Sequence, residues 1–115
     1  MGSEKRKYKR RHLIYYLRVF EQESGNLLGH LVDITPEGAM IMSEKRLERG
    51  AIYNIKMDLP DEIDEIEHIE FEAKCRWSKK DVNPEFYVSG LEMENIPASK
   101  KIVIQKLIIQ FGFQN

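Results

Sequence analysis

The sequence predicts a mainly β fold: a six-stranded antiparallel β-barrel that follows a flexible basic N-terminal arm and precedes a C-terminal α-helix. Apolar and polar residues alternate along two stretches, short strand-like segments are separated by turn residues, and the spacing becomes helical after Pro97. A period of two predicts a half-buried strand, whereas apolar residues three or four apart predict an amphipathic helix. We expect one domain, with the arm over residues 1–12, the barrel over 13–96 and the helix over 97–112.

The first three predicted strands lie at residues 13–21, 27–34 and 39–43. Each is rich in strand-forming residues. Ser24-Gly-Asn26 separates the first two strands, and Thr35-Pro-Glu-Gly38 separates the second from the third. These short polar turns predict an antiparallel meander.

The fourth and fifth strands show the clearest alternation in the chain. The inward positions are Ala51, Tyr53, Ile55, Met57 and Leu59 in one strand, and Ile69, Phe71, Ala73, Cys75 and Trp77 in the next. Cys75 is therefore expected to be a buried small residue beside Ala73 and Trp77. Residues 86–94 supply a sixth strand, and six short strands at close spacing predict a barrel.

The C-terminal segment has helical spacing. Its apolar positions are Ile104, Leu107, Ile108 and Phe111, and its polar positions are Lys100, Lys101, Gln105, Lys106 and Gln110. This pattern predicts an amphipathic helix that ends near Gly112 and covers one end of the barrel.

The composition excludes several classes of protein. Hydrophobic residues make up 42% and charged residues 32% of the chain, which is typical of an ordinary globular protein rather than a disordered one. No stretch approaches the roughly 20 apolar residues that span a bilayer, and the basic N-terminus lacks an apolar signal core. We therefore expect a cytoplasmic protein without membrane insertion.

The chemistry-bearing residues do not predict an enzyme. The single cysteine permits no internal disulfide, and His12, His30 and His68 lack metal-ligand spacing. There is no glycine-rich nucleotide loop before a helix, and no set of nucleophile, base and orienting acid. We expect no catalytic residues, no metal and no cofactor.

The arm carries the first motif that points to a ligand. In the segment Lys5-Arg-Lys-Tyr-Lys-Arg-Arg11 every residue except the tyrosine is cationic. Arg6 and Arg10 lie four residues apart, and a guanidinium can grip a phosphate through two parallel hydrogen bonds or lie against a purine. The alternative is a solvated basic tail.

The second motif is Asp33-Ile-Thr-Pro-Glu-Gly38. Thr35 to Gly38 read as a β-turn, with proline fixing φ at the second position and Gly38 free to take an unusual backbone angle. The Asp33 carboxylate can accept from the N1 and N2 donors of guanine, and the Thr35 hydroxyl can bind a phosphate or cap the turn. The alternative is that both side chains only satisfy backbone groups.

The two motifs together resemble the signature of the PilZ family of bacterial cyclic-di-GMP receptors, RxxxR followed by [D/N]xSxxG. Arg6 and Arg10 match the first element, Asp33 and Gly38 match the second, and Thr35 stands where serine is usual. The resemblance extends to Leu17-Arg-Val19 and Gly90-Leu-Glu-Met93, and so covers nearly the whole chain. Lys7 and Arg11 share the spacing of the arginine pair, but Arg10 lies eight residues before Arg18, which fits the family pattern.

The resemblance implies the same six-stranded barrel and a receptor for cyclic-di-GMP, with Arg6, Arg10, Asp33, Thr35 and Gly38 as ligand contacts. Further possible contacts are Lys5, Arg11 and His12, and the family implies that the position of Lys5 influences whether one ligand or a stacked pair is bound. Binding is expected to order the arm, and the signal to pass to an unidentified effector protein in motility or exopolysaccharide and biofilm control.

Two other functions remain open. The first is a PilZ-like adapter that acts by protein contact without nucleotide, which the threonine at position 35 leaves possible. The second is a small barrel that binds single-stranded nucleic acid, with Tyr15, Tyr16 and Phe20 as a stacking platform. A net charge of −1 and the run of carboxylates from Asp58 to Glu72 argue against a long polyanion.

Overall fold

The computed structural model describes residues 17–60, 63 and 66–111 and shows a closed antiparallel barrel of six strands. The strands are β1 (Arg18–Glu21), β2 (Leu27–Thr35), β3 (Gly38–Ser43), β4 (Ile52–Asp58), β5 (His68–Lys80) and β6 (Tyr87–Glu94), followed by helix α1 (Ala98–Phe111). Around the barrel their order is β1-β2-β3-β6-β5-β4, and β1 pairs with both β2 and β4 to close it. The predicted fold class is confirmed.

Some predictions fall on residues outside the described part of the chain. These are the arm at 1–12, the first part of the predicted strand at 13–16 and the end of the helix at Gly112. The division of the chain at residues 12 and 96 stays a prediction.

The core receives buried side chains from all six strands and from the helix. Ile55 and Met57 from β4 and Ala73 and Cys75 from β5 are at most 1% exposed. From α1 the same cluster receives the buried side chains of Val103, Ile104, Leu107 and Ile108. Because apolar surface removed from water stabilises the folded state by about 25 cal/mol per Å², the helix is held by its packing on the barrel. The apolar side of the helix thus packs on the barrel, as its spacing predicts, while its position at one end of the barrel stays a prediction. Within the described residues, no helix has the length and apolar character needed to cross a membrane.

Trp77 does not lie in the core, so its predicted orientation is wrong. The pairing of β5 with β6 shifts register between Cys75 and Trp77, which marks a β-bulge. A bulge adds one residue to a strand and reverses the face on which the following side chains lie. Cys75 is fully buried, as predicted, whereas Trp77 is 39% exposed.

The Cys75 thiol behaves as a small apolar group. It lies in the core cluster and its Sγ–H donates to the carbonyl oxygen of Trp77 over 3.5 Å. Burial is the larger influence and raises the pKa of the Cys75 thiol, and the backbone of Trp77 acts in the opposite direction. The protonated, unreactive form is therefore favoured at neutral pH.

Candidate functional site

A surface cleft of about 310 Å³ opens where the β2–β3 turn faces the bulged part of β5. Asp33, Thr35 and Gly38 line one side, and Arg76 and Trp77 line the other. The structure therefore brings the predicted site residues of the barrel together in a single concave surface. The predicted contacts of the arm lie outside the described residues: Lys5, Arg6, Arg10, Arg11 and His12.

Asp33 is positioned by a second β-bulge. The register between β2 and β3 shifts between Leu31 and Asp33, and the half-buried carboxylate accepts a 2.9 Å hydrogen bond from the backbone N–H of Ile34 through Oδ1. Bulges redirect side chains near binding sites, and this one aims Asp33 at the cleft. No hydrogen bond to Oδ2 occurs within the described residues.

Thr35 caps the turn that follows. Its Oγ1 accepts from the backbone N–H groups of Glu37 at 3.3 Å and Gly38 at 3.2 Å, which is one of the two roles predicted for it. Within the described residues, the acceptor for this hydroxyl is the carbonyl oxygen of Gly38, at 3.5 Å. A bond this long is weak, so the hydroxyl proton can turn to a better acceptor in the exposed mouth of the cleft.

Gly38 does not have the unusual backbone angle that the turn predicts. Among the described glycines only Gly25 and Gly50 have positive φ. The reason for glycine is instead the close approach of β6: a Cβ atom at position 38 would collide with the carbonyl oxygen of Leu91. The absence of a side chain lets β3 and β6 pair directly behind the cleft.

Sequence reasoning missed Trp77 as a site residue. Its indole covers Gly90 on β6, where a Cβ atom would collide with the ring, and the Lys79 ammonium lies 5.3 Å from the ring centroid. The period-two pattern gave no sign of the bulge, because Arg76 and Trp77 continue the polar–apolar alternation. A tryptophan facing a glycine on a neighbouring strand is the one signal that could have placed it, and that signal needs the strand register.

The described walls of the cleft are more acidic than basic. Asp33, Glu37 and Glu92 face it with one cation, Arg76, whose Nε lies 3.0 Å from a carboxylate oxygen of Glu92. These walls offer hydrogen-bond acceptors for the N–H groups of a base, whereas a phosphate needs cations from elsewhere. Among the described residues no group of histidine, cysteine, aspartate and glutamate could hold a metal ion.

Known proteins share this architecture. The MotI/DgrA inhibitor of motility from Bacillus subtilis is 25% identical with a TM-score of 0.68, and the match covers 82% of this chain and 45% of that one. The PilZ domain of YcgR from Escherichia coli, solved with c-di-GMP, is 14% identical with a TM-score of 0.65, over 84% of this chain and 81% of that one. K. pneumonia MrkH, solved as a c-di-GMP complex, is 12% identical with a TM-score of 0.66, over 84% and 46%.

No curated protein matches the chain, but a family model does. The chain spans about half the length of the MotI and MrkH chains, so it corresponds to one part of those proteins. The model of the PilZ domain matches residues 4–110, which include both the arm and the barrel. The chain therefore belongs to the PilZ domain family.

Proposed function

We propose that the protein is a cyclic-di-GMP receptor. In this proposal Arg6 and Arg10 hold the phosphates and stack on the bases, and Asp33, Thr35 and Gly38 form the wall that reads guanine. The observation that carries the proposal is the convergence of the Asp33–Gly38 turn on one cleft in a PilZ-family chain. The solved c-di-GMP complexes of YcgR and MrkH, which have the same fold, support it.

The Asp33 carboxylate suits the Watson–Crick edge of guanine. That edge presents two neighbouring donors, N1–H and N2–H, and a carboxylate can accept from both at once. Oδ1 already accepts from the N–H of Ile34, yet each carboxylate oxygen can accept a second hydrogen bond. Adenine has no donor at N1, so its edge would leave part of the half-buried carboxylate without a partner, which costs free energy.

The phosphates need the arm because the cleft walls cannot supply enough positive charge. Arg76 is already paired with Glu92, and both side chains remain about half exposed. The arginines at positions 6 and 10 would bring two guanidinium groups over the cleft, with Lys5, Arg11 and His12 as further contacts. Binding then fixes the arm against the barrel, and this change of position is what an effector protein would recognise.

We propose that such a receptor acts in motility or in exopolysaccharide and biofilm control, in the bacterial cytoplasm. MotI is described as an inhibitor of motility, which supports the first of these outputs. PilZ domains bind ligands and act as adapters, and the proposal accordingly assigns this chain no reaction of its own.

Titration calorimetry tests the proposal directly. Cyclic-di-GMP is titrated into the intact protein and into an Arg6→Ala/Arg10→Ala variant, with GTP and a short oligonucleotide as control ligands. We expect saturable binding to the intact protein, a loss of at least about 100-fold in affinity in the variant, and no comparable heat from GTP. The fitted stoichiometry decides between one ligand and a stacked pair.

A matched variant tests whether lost binding comes from the lower net charge or from the positions of the two arginines. Lys45→Ala/Lys80→Ala also removes two positive charges, but from exposed positions that do not line the cleft. It should bind as the intact protein does. Equal weakening by both double variants would show nonspecific attraction to anions and contradict the proposed roles of Arg6 and Arg10.

The second candidate function is an adapter that binds no nucleotide. The favouring observation is that Asp33 and Thr35 both make hydrogen bonds to their own turn, so the turn is satisfied without a ligand. Absence of heat at high cyclic-di-GMP concentration would contradict the receptor and leave the adapter. Binding of the oligonucleotide regardless of base, with steep salt dependence, would instead indicate a nucleic-acid protein.

A further inference from the structure

A second and larger concavity lies beside the cleft, on the other side of Trp77. It has a volume of about 820 Å³ and is formed where the connection between β3 and β4 passes the bulge of β5. We call it the arginine groove, and its lining residues are Arg46, Leu47, Glu48, Arg49, Arg76, Trp77 and Ser78. Arg76 and Trp77 also line the first cleft, so one ridge separates the two concavities.

The connection between β3 and β4, which carries Arg46 and Arg49, is held against the barrel by a buried side chain and by hydrogen bonds. Leu47 is 6% exposed, and its backbone N–H donates to Ser78 Oγ over 3.1 Å. Ser78 Oγ in turn accepts from the fully buried Ser89 hydroxyl at 2.8 Å. This part-buried pair holds its partners in one geometry, because breaking it would leave the buried Ser89 hydroxyl unsatisfied.

Further hydrogen bonds attach the second half of this connection to β4 and β5. The backbone N–H of Glu48 donates to the Tyr53 hydroxyl over 2.9 Å. Gly50 donates to the carbonyl oxygen of Cys75 over 2.8 Å, and the N–H of Cys75 donates to Ala51 over 2.9 Å. The connection is therefore anchored to β5 directly beside the bulge, so its two arginines are presented at fixed backbone positions without a ligand.

The charges of the groove are unbalanced. Arg46 and Arg49 are exposed, and within the described residues neither guanidinium has a hydrogen bond or ion pair. Among the described lining residues Glu48 is the one acid, and Arg76 adds a third guanidinium, which is paired with Glu92. Two unpartnered guanidinium groups next to an exposed indole form a surface that favours an anion.

We propose that the arginine groove is a second phosphate-binding subsite of the nucleotide pocket. The guanine dinucleotide extends past Trp77, so that Arg46 and Arg49 bind one of its phosphates while the first cleft holds one of its bases. Guanidinium groups match phosphate through paired hydrogen bonds, and the shared indole offers an aromatic surface to a purine. The proposal rests on the proposed function, because it takes the phosphate to be one that cyclic-di-GMP carries.

The single tryptophan of the chain provides a direct readout. Trp77 is the only tryptophan, so its emission reports on the ridge between the two concavities. Inorganic pyrophosphate is titrated into the intact protein, which tests phosphate binding without a base. We expect a saturable change in Trp77 emission that an Arg46→Ala/Arg49→Ala variant loses.

The control variant is Lys45→Ala/Lys80→Ala. Both lysines are exposed and lie outside the groove, one on the same connection and one at the end of β5, so the net charge changes equally. This variant should keep the response to pyrophosphate. A response that is absent from the intact protein, or lost equally in both variants, overturns the subsite.

Calorimetry with cyclic-di-GMP then connects the subsite to the receptor. Arg46→Ala/Arg49→Ala should weaken binding about tenfold, whereas Lys45→Ala/Lys80→Ala should change it less than about twofold. Unchanged affinity and stoichiometry in the arginine variant overturn the proposal but leave the receptor intact. If the intact protein binds pyrophosphate at Trp77 but not cyclic-di-GMP, the receptor function fails, and with it the assignment of this phosphate to the guanine dinucleotide.

Discussion

The two halves of β5 differ in where their side chains lie, although they belong to one continuous strand. From Ile69 to Cys75 every second side chain is buried, with at most 5% exposure, and belongs to the core. After the bulge, Arg76, Trp77 and Ser78 line the two concavities. One extra residue in the pairing thus separates a half that stabilises the barrel from a half that faces ligands. Stability and binding should accordingly respond to different substitutions within the same strand.

The largest expected effect comes from the core half. Phe71→Ala should lower the free energy of unfolding by about 3–5 kcal/mol, because it removes a buried aromatic ring and leaves a cavity. Trp77→Ala, in the other half, should cost only about 1 kcal/mol, since its ring is already 39% exposed. Urea denaturation followed by circular dichroism measures both. Similar losses in the free energy of unfolding would contradict the division of β5 into a half that stabilises the barrel and a half that faces ligands.

A smaller effect tests the contact between Trp77 and Gly90. Gly90→Ala should cost about 1–2 kcal/mol, because the new methyl group would collide with the indole. In a Trp77→Ala background the obstacle is gone, so the cost should fall below about 0.5 kcal/mol. Denaturation of the two single variants and the double variant gives the coupling energy.

Gly38→Ala is the matched control for this double-mutant cycle of Gly90 and Trp77. Its methyl group would meet the backbone carbonyl of Leu91, which Trp77→Ala does not remove. The costs of Gly38→Ala and Trp77→Ala should therefore add. If the coupling energy between Gly38 and Trp77 were as large as that between Gly90 and Trp77, Trp77→Ala would be changing the whole cleft and not only its contact with Gly90.

The smallest effect concerns the turn opposite Trp77. Thr35→Ala should lower the free energy of unfolding by about 1 kcal/mol, because the N–H groups of Glu37 and Gly38 lose their acceptor. Thr35→Ser keeps the hydroxyl and should change stability by less than about 0.5 kcal/mol. Thermal denaturation compares the two variants. A serine variant as unstable as the alanine variant would show that the methyl group, and not the hydroxyl, holds the turn.

Local patterns predicted the barrel well because each half-buried strand repeats its apolar residues with the period of the pleat. Ile55, Met57, Phe71 and Ala73 were all placed inward correctly for this reason. The helix was also predictable, since Ile104, Leu107 and Ile108 recur at helical spacing and all three are buried.

The site was only partly predictable, for two physical reasons. Asp33, Thr35 and Gly38 were found through turn chemistry and a family motif, and the structure does place them together. Trp77 was missed because a bulge depends on pairing with another strand and leaves the local alternation unchanged. The angle at Gly38 was misjudged because the constraint comes from Leu91, a residue distant in sequence.

The short strand β1 has a consequence for the kinetics of folding. It contributes four residues, yet it closes the barrel by pairing with both β2 and β4. Its ladder with β4 matches Val19 with Met57, so a long stretch of chain must lose its freedom before these hydrogen bonds form. The hairpins β2–β3, β4–β5 and β5–β6 need far shorter loops. The ladder between β3 and β6 joins residues still farther apart in the chain. Closure at β1 therefore depends on the hairpins being in place, and the arm that precedes β1 is joined to one of the two long-range seams of the barrel.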